Sequence, residues 1–123
     1  MTIEDEARRA LEAWNEAFNR GDAAGVAALY LADARFLPAT HEVVVGPAAI
    51  EAFFRPMLAQ GVTGHANELI VCGGQGALVY VASRWTVRSP SADGGSETSS
   101  GFAAHVLERQ PGGGLKIHLH TFN

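Results

Sequence analysis

Ala77-Leu-Val-Tyr-Val-Ala-Ser-Arg-Trp-Thr-Val-Arg88 decides the fold, because it alternates with a period of two and carries apolar side chains on both sides. Val79, Val81, Trp85 and Val87 point one way. Leu78, Tyr80 and Ala82 point the other, before Arg84, Thr86 and Arg88 turn that side polar. A strand that is apolar over most of one face needs a layer packed on it. The partly apolar second face implies a further partner, which is expected to be another subunit meeting the sheet.

Working outward, His65 to Cys72, Thr98 to Arg109 and Leu115 to Phe122 are also rich in β-branched, aromatic or alternating residues. Ser89 to Ser96 and Pro111-Gly-Gly-Gly114 separate them with turn-forming residues, so the second half predicts a four-strand antiparallel meander. The first half has a helical period. Ile3, Ala7, Ala10, Leu11, Trp14 and Phe18 share one face of a helix that ends at Asn19-Arg-Gly21. Asp22 then caps a short helix on which Val26, Leu29 and Tyr30 share a side. A strand is expected at Ala34 to Leu37. Gly46-Pro47 opens a third helix, with Ile50, Phe53, Phe54 and Met57 inward and an end expected near Arg55, because the Pro56 ring collides with the Ala52 carbonyl. Helices first and strands afterwards give an α+β layer with three helices on one face of an antiparallel sheet.

Residues 1–123 are expected to form one domain: 47% of the chain is apolar, and no linker or repeat divides it. The formal charge of -4 comes without a Lys/Arg cluster, which argues against nucleic acid and against an anionic membrane surface as partners. Cys72 is the only cysteine, so no intramolecular disulfide forms and a buried inert thiol is expected. The start of the chain is charged and amphipathic, and no apolar run reaches the roughly 20 residues of a membrane span. A cytoplasmic location is the expectation.

Trp14-Asn-Glu-Ala-Phe-Asn-Arg-Gly-Asp22, Ala28-Leu-Tyr-Leu-Ala-Asp-Ala34 and Val45-Gly-Pro-Ala-Ala-Ile-Glu-Ala-Phe53, followed by four strands, resemble the NTF2-like superfamily. That group includes ketosteroid isomerases, SnoaL-like polyketide cyclases and small DUF4440-type proteins, and the resemblance covers nearly the whole chain. It implies a cone, in which a strongly curved sheet and three helices enclose a pocket, with homodimers common. The matching residues are corners and core positions, so function has to come from the pocket wall.

The isomerase machinery that the resemblance implies is a tyrosine on the first helix, a base aspartate on the first strand and a protonated aspartate on the next-to-last strand. Here those positions fall at Trp14, at or beside Pro38, and at His105. Steroid-type isomerisation is therefore not expected. If Gln110 pairs with Leu115 across the last hairpin, His105 lies opposite His120 and Leu107 opposite His118, so three imidazoles share the pocket face. A one-residue slip in the turn would dissolve that cluster.

Such a cluster has three uses. Imidazoles that suppress one another's charging could accept a proton from a carbon acid or hydroxyl near pH 7. His105, His118 and His120 could instead present three nitrogens to zinc, a departure from the superfamily's habit. They could also be structural. Trp14, Phe18, Tyr30, Phe54 and Trp85 form the expected aromatic lining, with His41 at its mouth; plain core packing explains the aromatics and a solvated turn explains His41. Glu68 and His65 have no assignable partner. Gly-x-Gly-x-x-Gly, P-loop, Gly-x-Ser-x-Gly and His-Glu-x-x-His patterns are missing, so no cofactor is implied. The expected function is cofactor-independent isomerase, cyclase or dehydratase chemistry on a small, largely apolar or aromatic ligand, with His105 moving a proton and His118 or His120 assisting. The alternative is a non-catalytic ligand-binding or dimerisation module.

Overall fold

Thr2 starts the first helix: its hydroxyl accepts the Asp5 amide at 3.1 Å while the Asp5 carboxylate accepts the Thr2 amide. This reciprocal cap satisfies two donors that a helix end leaves without partners. In the computed structural model, which describes residues 1–123, α1 spans Ile3–Asn19 and buries Ala7, Leu11, Trp14, Ala17 and Phe18. Asp22 caps α2 (Ala23–Ala27) by accepting the Gly25 amide at 2.8 Å.

Tyr30 does not continue that helix, contrary to its spacing from Val26. It opens β1 (Tyr30–Leu37), because the Leu29 carbonyl accepts the Ile117 amide at 2.8 Å and Tyr30 pairs with Ile117 in parallel. The last strand captures the chain there. A two-residue strand, β2 (Val44–Val45), returns antiparallel to β1 and leads into α3 (Gly46–Ala59). Gly46 sits at φ 81° with the Ala32 carbonyl 3.1 Å from where a Cβ would lie, so this corner requires glycine. The helix does not end near Arg55. Pro56 and Ala52 are both on its exposed side, where the carbonyl freed by the proline can meet water, and the packed Phe54, Met57 and Leu58 hold the last turn.

β3 (Thr63–Gln75), β4 (Leu78–Pro90), β5 (Ser96–Arg109) and β6 (Leu115–Phe122) form the expected antiparallel meander, each close to its predicted limits. The six strands make one curved sheet in the order β2-β1-β6-β5-β4-β3, so the pairing of β1 with β6 joins the two halves of the chain. α1 and α3 pack on the sheet, and α2 packs against both of them. Val79, Val81, Ser83 and Val87 of β4 face them and are buried, whereas Leu78 and Tyr80 are exposed on the other face.

The register of β5 and β6 differs from the one expected at the turn. Arg109, not Gln110, pairs with Leu115, and Leu107 pairs with Ile117. Between Val106 and Leu107 the ladder shifts by one residue, leaving His118 as the extra residue of a bulge, after which Val106 meets Leu119 and His105 meets His120. The slip at the turn is thus undone before it reaches His120.

Candidate functional site

A cavity of about 100 Å³ lies between α1, α3 and the concave sheet face. Trp14 and Phe18 of α1, Phe54 of α3 and Trp85 of β4 line it, as their spacing predicts. No Asp, Glu, Lys or Arg does. Its polar groups are His65, Asn67, His105 and His120.

His105 and His120 are both buried, and their rings stack with centroids 3.9 Å apart at 20°. Cross-strand pairing brings them together, since directly opposite positions in an antiparallel ladder share one face. Behind the wall, Tyr30 accepts a hydrogen bond from Trp14 Nε1 at 3.0 Å and lies 2.8 Å from His120 Nδ1. Indole N–H can only donate. His120 Nδ1 is the one acceptor within reach of the buried Tyr30 hydroxyl, so the hydroxyl proton is satisfied by donation to it, which assigns the His120 ring proton to Nε2. Tyr30 supports the cavity without lining it.

His118 is exposed on the opposite face, because the bulge inserts one residue and reverses the alternation at that position. The three-imidazole cluster and the zinc site built on His105, His118 and His120 both fail on this geometry; nowhere in the chain do three or more His, Cys, Asp or Glu side chains converge to hold a metal ion. His41 also departs from expectation. It is exposed in a turn with φ 66°, its amide bonded to the Pro38 carbonyl, and it does not line the cavity.

His65 takes the place that His118 leaves. Its ring lies against Trp14 (centroids 4.7 Å) and parallel to Trp85 (6.2 Å, 11°). Asn19 of α1 clamps the His65 backbone, accepting its amide at 2.7 Å and donating to its carbonyl at 3.0 Å. Asn15, one turn earlier, faces the ring: its Oδ1 lies 2.7 Å from His65 Nδ1 and accepts Asn67 Nδ2 at 2.9 Å, while Ser83 donates to Asn67 Oδ1 at 3.1 Å. The i, i+4 spacing of Asn15 and Asn19 was legible as one helix face. Their partner on a strand was not.

Burial holds all three cavity imidazoles neutral at pH 7. It pushes His65 and His105 down to about 4, and His120 well below the ordinary histidine value; for His105 the neighbouring His65, and for His120 both neighbours, add repulsion between positive charges. The Tyr30 hydroxyl is raised well above the usual phenol range by the same desolvation. Two polar atoms of cavity-lining residues, Trp85 Nε1 and His105 Nδ1, are buried with no hydrogen-bond partner. Each such unpaired group costs about 1–3 kcal/mol.

The SnoaL-like domain pattern matches residues 11–114. No curated protein matches the chain at a significant level. Among solved structures, the chain is similar to Aln2 from a Streptomyces species, at 23% identity and TM-score 0.85 over 98% of this chain and 89% of that one. It is also similar to a ketosteroid isomerase-like protein from Erwinia carotovora atroseptica (18% identity, TM-score 0.79, 94% and 90% of the two chains). An NTF2-like protein with a cystatin-like fold from Novosphingobium aromaticivorans is comparable (18%, TM-score 0.78, 97% and 79%). At these identities the likeness speaks for the fold. Three helices on a curved six-stranded sheet, together with a domain pattern spanning most of the sequence, place this chain in the SnoaL-like family of the NTF2-like fold.

Proposed function

We propose that the chain is a cofactor-independent acid–base enzyme acting on a small, largely apolar ligand, in reactions of the isomerase, cyclase or dehydratase kind. The observation that carries this reading is the stacked His105–His120 pair on the wall of an apolar cavity, held neutral by burial and braced from behind by Tyr30 and Trp14. A neutral imidazole can accept a proton or donate a hydrogen bond without an ion having to be desolvated first. At about 100 Å³ the cavity is smaller than the engineered cavity of about 150 Å³ that takes benzene, so the part of a ligand it encloses is small. Without a charged side chain on its wall, it suits an uncharged ligand.

The test is exchange of the α-protons of cyclohexanone for deuterium, followed by proton NMR in D₂O, alongside a binding titration. Exchange above the buffer rate, reduced at least tenfold in His105→Gln or His120→Gln, supports the reading. Binding without exchange in the wild type overturns it in favour of a binding module, to which the two unmade hydrogen bonds at Trp85 and His105 would equally lend themselves. We also infer that the outer sheet face meets a second copy of the chain. Ile70, Val71, Leu78, Tyr80 and Phe102 are about half exposed there, and Arg84 lies 4.8 Å over the Phe102 ring.

A further inference from the structure

The hydrogen-bond chain on α1, β3 and β4 gives His65 a definite proton inventory. Ser83 donates to Asn67 Oδ1, which turns the Asn67 amide N–H toward Asn15 Oδ1. An amide oxygen has only lone pairs to offer, so His65 Nδ1, 2.7 Å from that same oxygen, carries the ring proton. His65 Nε2 is then a bare acceptor. His120 has the opposite arrangement, with Nδ1 accepting from Tyr30 and the proton on Nε2. Neither Nε2 makes a hydrogen bond within the chain, and both residues line the same cavity. Beside His105, whose tautomer no hydrogen bond sets, the wall therefore presents one fixed acceptor and one fixed donor, held by two separate networks.

We propose that His65 Nε2 is the proton acceptor of this site and His120 Nε2–H its fixed hydrogen-bond donor, working together on the acidic C–H and the oxygen of a small neutral carbonyl compound. This rests on the acid–base reading above and divides its labour. In the first step the ligand's α C–H bond breaks and its proton goes to His65 Nε2. The electron pair moves through the forming C=C bond to the carbonyl oxygen, which becomes an enolate held by His120 Nε2–H. In the second step the His65 N–H bond breaks and the proton returns to carbon, at the same or a conjugated position. Nothing is oxidised and no co-reactant is consumed.

His120 does not itself give up its proton. A neutral imidazole that did so would become an anion in an apolar wall, and Tyr30, whose hydroxyl burial makes a weaker acid still, cannot resupply it. Burial keeps the His120 ring uncharged, and the stacked His105 adds to that. The enolate, once formed, favours the positive form of the nearby His65, so the charge pair develops together and disappears together. Asn15 is a positioning residue: its oxygen holds the His65 tautomer and accepts from the ring in either protonation state.

Long-range proton–nitrogen NMR on protein labelled with ¹⁵N-histidine tests the assignment without any ligand. At pH 7, His65 is expected as the Nδ1–H tautomer and His120 as Nε2–H, with His65 shifting toward Nε2–H in Asn15→Ala. Cyclohexanone exchange supplies the second readout, in which His65→Gln loses at least a hundredfold while still binding the ketone, and Asn15→Ala loses about tenfold. His65 found as Nε2–H in the wild type, or wild-type exchange surviving in a folded His65→Gln protein, overturns the His65 assignment alone. No exchange by the wild type overturns the acid–base reading and this role with it.

Discussion

Tyr30 shows how one hydroxyl can determine the chemistry of a neighbouring ring. It is fully buried between Trp14 Nε1 and His120 Nδ1, accepting from one and donating to the other. Tyr30→Phe keeps the ring but leaves an indole donor and an imidazole acceptor unpaired in the core. The expected cost is about 2–4 kcal/mol in urea denaturation, more than the loss of one ordinary hydrogen bond, because two partners are orphaned. The same variant releases His120 to either tautomer, and its ¹⁵N spectrum should show a mixture. A loss below about 0.5 kcal/mol would mean that the two groups re-pair, and would remove Tyr30 from the site.

Among the elements, the last hairpin decides which histidines face the cavity. Its glycine turn sets a register one residue away from the expected one, and the bulge at His118 corrects it. Deleting His118 would therefore leave Leu107 opposite Ile117 and His105 opposite His120, with an ordinary ladder between them. The expected outcome is a folded protein within about 1 kcal/mol of wild type, with the His105–His120 contact intact in NMR distance restraints and exchange activity retained. Loss of that contact on deletion would show that the bulge aims His120 rather than merely absorbing a residue. A catalytic His118 is excluded by the same experiment if exchange persists.

At the scale of the molecule, three neutral imidazoles inside one cavity link stability to pH. The unfolded chain protonates each histidine near the ordinary value of 6.5, whereas folded His65 and His105 resist until about 4 and His120 until lower still. Between those values the unfolded state binds more protons. Stability is thus complete above pH 6.5 and falls as the pH drops toward 4, by up to about 1.4 kcal/mol per pH unit for each of the fully buried rings of His105 and His120 and by less for the part-buried His65. Asp5, Glu6 and Asp22 act at lower pH, their carboxyls held down by the Thr2 amide, the Arg109 guanidinium and the Gly25 amide respectively. Denaturation curves from about pH 7.5 to about pH 4.5 check this, and a flat profile would mean that the imidazoles are hydrated. The outer sheet face makes a separate prediction: sedimentation should give a dimer at micromolar concentration, with Tyr80→Glu or Phe102→Glu reduced to monomer. A monomeric wild type would dismiss the second copy.

Much of this was written in local patterns. Period-two alternation placed β3 to β6, helical spacing placed α1 and its buried stripe, and cap and corner residues marked Asp22 and Gly46, because each depends on neighbours a few positions away. The aromatic wall of Trp14, Phe18, Phe54 and Trp85 followed from those faces. What lay beyond reach was set by partners far along the chain. Tyr30 left its helical spacing because Ile117 captured it, and Pro56 stayed within α3 because packing outweighed a lost backbone bond. His118 faced outward because the hairpin carried a bulge that no residue type announces. His65 had no visible role until α1 laid Asn15 and Asn19 against β3. The sequence by itself determined the layers and the apolar cavity between them. Only the tertiary structure decided which imidazoles enter that cavity and where their protons sit, since strand register and hydrogen-bond polarity come from contacts between distant segments.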